Sequence, residues 1–150
     1  METAKKTKQQ DYTATIEVKS SAHDAFEKIA KVDGWWAKNF KGRALQKGDH
    51  FSVHFGETFV DFSITEVIPG KKIVWYVTDC YLHWLSDKKE WKDTKVVWEI
   101  SPGKGNTSIM MTHVGLTPDV ECFKDCEVGW NGHIKESLVN FLNKGKGKPE

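Results

Sequence analysis

The sequence predicts one α+β domain: a curved antiparallel sheet of six to seven strands, two short N-terminal helices, and one long C-terminal helix over the concave face. Three observations lead there. Between residues 42 and 114 the chain is a succession of short segments with strand-like apolar and polar patterning, most of them separated by turn-sized gaps. After Pro118 the apolar residues change to helical spacing and hold it for about five turns. The chain has 150 residues, the size of one ordinary domain with its own core.

Taken in order, residues 1–11 carry no apolar pattern and read as a disordered tail, so that the domain runs over 12–143. Residues 12–18 (YTATIEV) alternate and form a first strand, with Tyr12, Ala14, Ile16 and Val18 on one face. Ser20 or Ser21 caps a helix to about Lys31, its stripe being Ala22, Ala25, Phe26, Ile29 and Ala30. Asp33-Gly34 stops it, and Trp35, Trp36 and Phe40 follow at the spacing of a second short helix or turn. Strands are expected at 42–46, 50–55, 59–67, 72–78, 95–100 and 108–114. Turn signals stand between them at 47–49, Gly56, Pro69-Gly70 and 102–106, and such short gaps make hairpins and an antiparallel meander. Val60, Phe62 and Ile64 share one face of their strand; Val96, Trp98 and Ile100, then Ile109, Met111 and His113, repeat the alternation. Residues 80–93 break the pattern, a long stretch holding Trp84 and Trp91 of the kind that is often functional. The last helix is expected from Val120 to Leu142, with Phe123, Trp130, Ile134, Leu138 and Phe141 as its stripe. Gly145, Gly147 and Pro149 then leave 144–150 as a frayed tail.

Composition excludes several classes. Basic and acidic residues nearly balance, 22 against 21, and Arg43 is the sole arginine, whereas forked recognition of phosphate or guanine uses arginine; nucleic acid is not an expected partner. No apolar run approaches the roughly 18 residues of a spanning helix, so no membrane insertion is expected. An odd set of cysteines (Cys80, Cys122, Cys126) behind a lysine-rich N-terminus suits a reducing, cytoplasmic location. Seven Trp, eight Phe and three Tyr mean that few, large residues build the core.

The element order is the helix-grip arrangement, and particular residues strengthen the likeness: Ile16-Glu17-Val18 with Ala25-Phe26, Trp35-Trp36, Gly48-Asp49-His50-Phe51, 66–75 (EVIPGKKIVW), 107–115 (TSIMMTHVG), Gly129-Trp130, Ser137-Leu138 and Leu142. In these the sequence resembles the activators of the ninety-kilodalton heat-shock chaperone's ATPase (AHSA-type), within the START-like, SRPBCC or Bet v-like superfamily. The resemblance covers about residues 12–145. It implies a cavity between helix and sheet, in which relatives bind lipids, polyketides, hormones or other apolar molecules and some catalyse cyclisation or dehydration. It also implies a link to stress response and chaperone contact. The co-chaperone members carry an additional N-terminal domain for which this chain has no room, so that contact is the weaker expectation.

The expected function is therefore binding of a small hydrophobic molecule, lipid-like or aromatic, by a monomer or weak dimer without a cofactor. Trp36, Phe55, Phe62, Trp75, Trp98, Met111, His113, Trp130 and Ile134 are the candidate ligand-binding residues, although core packing is the commoner role for any one of them and large aromatics can fill a small cleft. His113, in phase with Ile109 and Met111, should point toward the helix. It is the candidate acid or base if the protein is instead a cyclase or dehydratase, with Glu57 and Asp61 the nearest candidate partners. The commoner role for such an imidazole is a hydrogen-bonded core residue. Cys80 with His83, and Cys122 with Cys126, have spacings a zinc ion could use, but without a clustered Cys-x-x-Cys form no metal is expected. The lysines at 144, 146 and 148 read as a solvated tail, and 102–106 as a hairpin turn lacking the context of a phosphate loop.

Overall fold

The computed structural model describes residues 10–150, so most of the expected N-terminal tail lies outside the described residues. The strands are β1 (Tyr12–Val18), β2 (Asn39–Gly42), β3 (His50–Phe55), β4 (Thr58–Ile68), β5 (Lys72–Tyr81), β6 (Lys95–Pro102) and β7 (Thr107–Val114). They form one antiparallel sheet in the order β1-β7-β6-β5-β4-β3-β2, so β2 to β7 are the expected meander and β1 is added at its far edge. Two short helices, α1 (Ala22–Ile29) and α2 (Val32–Trp35), connect β1 to β2. Ser21 caps α1, its hydroxyl accepting from the Asp24 N–H at 3.1 Å. The long helix α3 spans 123–144 without a break: α-helical over Phe123–Asn131, π-helical over Gly132–Leu138 and α-helical again over Val139–Lys144.

The curvature has local causes. The β4–β5 ladder shifts register between Asp61 and Phe62 and again between Ile64 and Glu66, and each bulge bends the strand pair. β6 pairs with β5 only over Lys72–Tyr76, so the second half of β5 leans away with β4 alone as a ladder partner. That divergence leaves a gap beside the sheet, which the β5–β6 loop (82–94) spans.

The concave face is filled at its centre by aromatic rings. Trp75 lies 5.3 Å from Trp98, 5.0 Å from Phe51 and 5.4 Å from Phe62 between ring centroids, and Trp35 meets Trp98 edge-on at 5.6 Å. Such tilted contacts suit the aromatic quadrupole. Helix α3 covers this layer with Cys126, Trp130, Ile134, Leu138 and Leu142.

Four expectations are corrected. The second strand ends at Gly42 instead of beginning there. Gly42 has φ +105°, and a Cβ would strike the His50 backbone, so the chain turns at that point; Asp49 then ties the turn by accepting from the Leu45 and Gln46 N–H groups. Asp33-Gly34 does not stop a helix but lies inside α2, where Gly34 leaves room for the Phe141 ring. Phe123 and Phe141 are half-buried, and the buried stripe of α3 passes through Cys126 and Leu142 instead, while 118–122 precede the helix as turns. The last residues do not fray: the Glu150 N–H donates to the Trp36 carbonyl, the Lys38 N–H donates to the Glu150 carbonyl, and the Lys148 N–H donates to the Ser137 hydroxyl.

Candidate ligand cavity

Where β5 leaves β6, a cavity of about 320 Å³ opens between the β3–β4 hairpin, the β5–β6 loop and the first half of α3. Each wall follows from a local feature. The hairpin turns at Gly56 (φ +62°) and brings Phe55, Thr58 and Val60 to one side. The loop supplies Leu82, Trp84 and Trp91, and the helix supplies Asp125, Cys126, Gly129, Trp130 and His133. Trp36, which follows α2, forms the floor, with its ring 4.9 Å from Trp130 and 5.9 Å from Phe55. Trp91 stacks on Trp130 at 5.9 Å, the planes 9° apart. Gly129 adds no side chain, and a Cβ there would meet nothing within 4 Å.

The loop is clasped to the helix from both sides. The Glu90 carboxylate accepts the Glu121 and Cys122 N–H groups at 2.8 Å each, pairing two donors of the turn that leads into α3. In return the Glu121 carboxylate accepts from the Ser86 and Asp87 N–H groups at 2.9 and 3.1 Å, and these bonds hold its pKa below the ordinary value. Trp84, half-exposed at the mouth, donates from Nε1 to Asp125 at 3.2 Å. A long, aperiodic loop is thus held in one position over the opening.

His113 lies behind this site. It is fully buried; Trp130 Nε1–H donates to its Nδ1 at 3.1 Å, and its Nε2 lies 2.9 Å from the Thr94 hydroxyl. Nδ1 is therefore the acceptor and Nε2 carries the proton, while the Thr94 hydroxyl donates onward to the Trp91 carbonyl at 2.6 Å. Burial pushes the imidazole pKa down to about 3, which keeps it neutral. Both nitrogens are occupied by the residues that position Trp91 and Trp130, and neither faces the cavity. Asp61 lies across the β4–β5 ladder from Asp79; burial, then that neighbouring carboxylate, raises its pKa. Glu57 stands 3.7 Å from His83. Neither carboxylate is a hydrogen-bond partner of His113.

Of the nine sequence candidates, Trp36, Phe55 and Trp130 line the cavity. Phe62, Trp75, Trp98, Met111, His113 and Ile134 do not, because the aromatic layer between sheet and helix is closed upon itself and nearly all of its surface is covered. The cavity lies toward the divergent end of β5, not at the centre of the concave face. The other lining residues, Thr58, Val60, Leu82, Trp84, Trp91, Asp125, Cys126, Gly129, His133 and Glu150, were not among those candidates; only the break in periodicity at 80–93, with two tryptophans inside it, marked part of this set in advance.

The cysteine spacings do not converge on a metal. Cys122 and Cys126 lie sulfur against sulfur across one helical turn, with Cα atoms 5.6 Å apart. Cys80 is free and buried, its thiol 3.6 Å from the Lys88 carbonyl, and His83 turns to Glu57. Among the described residues no three His, Cys, Asp or Glu side chains gather closely enough to hold a metal ion, and no helix is long and apolar enough to cross a membrane.

The family model described as "Activator of Hsp90 ATPase homolog 1-like protein" matches residues 19–143. No curated protein sequence matches the chain. Among solved structures, the Aha1 dimer from Colwellia psychrerythraea is similar with a TM-score of 0.74 at 20% identity, over 91% of this chain and 98% of that one. DynU16, a protein in the dynemicin biosynthetic locus, gives 0.68 at 16% identity, over 93% of this chain and 49% of that one. CalU16 from Micromonospora echinospora gives 0.66 at 16% identity, over 91% and 75%. At these identities the likeness establishes the fold.

Proposed function

Starting from a chain that belongs to the Activator of Hsp90 ATPase homolog 1-like family, we propose that it binds a small, largely apolar molecule in the cavity beneath the β5–β6 loop. The observation that carries this reading is the cavity itself: about 320 Å³ walled mainly by Trp36, Phe55, Trp84, Trp91 and Trp130, with few polar groups. Concave, mostly apolar sites with a few convergent polar groups are the usual form of small-molecule sites. Desolvating a guest there contributes roughly 25 cal/mol per Å² of apolar area covered. The dynemicin-locus neighbour supports a small-molecule role. A cyclase or dehydratase using His113 as acid or base does not fit this site, since that imidazole is sealed behind Trp91 and Trp130 with both nitrogens engaged.

Native mass spectrometry of the protein isolated from its own cells tests the proposal. A small organic mass that leaves on denaturation, and whose retention falls about tenfold or more in Trp84→Ala or Phe55→Ala protein, is the expected result. A bare protein that also fails to take up any member of an aromatic fragment set contradicts it.

A second reading, contact with a chaperone or with a second copy, is favoured by the family's description and by two exposed apolar side chains, Trp84 at the mouth and Val128 on α3. Light scattering across a concentration series, and the ATPase rate of a purified chaperone with and without the protein, test it. A constant monomer mass and an unchanged rate remove it.

A further inference from the structure

We propose that the guest of this cavity is a cation: an amine or quaternary ammonium carried on an apolar body. The inference rests on the binding reading above and narrows it to a chemical class. It comes from the sign of every charge on the wall. Asp125 and Glu150 are the fully charged side chains of the lining, both are carboxylates at the exposed rim, and no Lys or Arg among the described residues joins them. The chain as a whole is nearly balanced between acids and bases, so a wall of one sign is a local property. Of the loop lysines, Lys88 spends its ammonium on the His83 and Leu85 carbonyls, Lys89 is paired with Asp79 at 2.8 Å, and Lys92, next to Trp91, stands 3.6 Å from Asp93. His133, the other titratable group on the wall, is pushed by burial toward its neutral form.

The rings supply the second half of the argument. Four tryptophans and one phenylalanine line a space of about 320 Å³, and an indole face attracts a cation more strongly than any other side-chain ring does. Trp130 stands between Trp36 and Trp91, at 4.9 and 5.9 Å between centroids, so the rings support one another. Asp125 accepts from Trp84 Nε1 through one oxygen, which places its carboxylate at the mouth beside an indole. A guest that seats an apolar body among the rings and leaves an ammonium between Asp125 and Glu150 satisfies both features. An anionic guest would face two carboxylates with no countercharge.

Two probes of one shape separate charge from volume: phenyltrimethylammonium, and tert-butylbenzene as its uncharged isostere, with benzenesulfonate as the anion. Titrations followed by tryptophan fluorescence are expected to give the cation about tenfold tighter binding than the isostere, and none for the anion. Asp125→Asn and Glu150→Gln should each weaken the cation about threefold, leave tert-butylbenzene unchanged, and reduce the salt dependence of cation binding. Equal or tighter binding of tert-butylbenzene, or a preference for benzenesulfonate, overturns the cation assignment while leaving the cavity a binding site. Failure of all three probes to bind overturns the binding reading, and this inference with it.

Discussion

At the scale of single residues, two side-chain environments make sharp predictions. His113 is neutral in the fold, with its pKa pushed down to about 3 by burial. Once unfolded it takes up a proton below its ordinary 6.5, so between those values the unfolded state holds one proton more. Stability from this residue is complete above 6.5 and declines by about 1.4 kcal/mol for each pH unit below it. Urea unfolding at pH 7 and pH 5 should therefore differ by about 2 kcal/mol more in the native sequence than in His113→Gln. An equal difference in both would mean that the imidazole is accessible to protons in the fold. Gly42 makes the second prediction. Its φ of +105° and its contact with the His50 backbone leave no room for a methyl group, and backbone cannot move aside as a flexible side chain can. Gly42→Ala should cost about 1–3 kcal/mol, measured by the same unfolding experiment. Gly48→Ala, at a similarly positive φ but in open space, should cost less.

At the scale of elements, the clasp between the β5–β6 loop and α3 decides whether the cavity has a roof. Glu90→Ala removes the acceptor for the Glu121 and Cys122 N–H groups at the entry to α3 and should cost about 1 kcal/mol. Hydrogen exchange at Glu121 and Cys122, and at Ser86 and Asp87 across the clasp, should quicken while the β6–β7 ladder stays protected. Unchanged exchange at all four amides would mean that the loop is held by its tryptophans alone. Acid acts on the same device. Glu121 is held below its ordinary 4.5, so its contribution is present above that value and fades as pH falls through the lower folded-state value; the loop should loosen there. Most elements were legible in the sequence, because strand alternation and the helical stripe are local signals: β1, β3, β4, β6 and β7 lie within a residue or two of their expected bounds. The misread ends are non-local. β2 stops where Gly42 meets the His50 backbone, β5 continues to Tyr81 because β4 carries it past the point where β6 departs, and 145–150 are held by Trp36 and Ser137. None of those partners is a sequence neighbour.

At the scale of the whole molecule, the helix-grip fold follows from the pattern, but the position of its cavity does not. Alternation identified which residues face the helix, and Trp75, Trp98 and Met111 do face it. Whether rings on that face touch one another or leave a space depends on their rotamers and on the bulges in β4–β5, which periodicity does not encode. Hence the centre of the concave face is solid, and the opening lies at its edge, under a loop whose lack of period was its only sequence signal. The indole N–H resonances of the seven tryptophans report on this division directly, since Trp36, Trp84, Trp91 and Trp130 line the cavity while Trp35, Trp75 and Trp98 lie in the packed layer. A titration with tert-butylbenzene followed by proton–nitrogen correlation spectra should shift the first four and leave the other three in place. Shifts at Trp75 and Trp98, or no shift at any indole, would contradict the account.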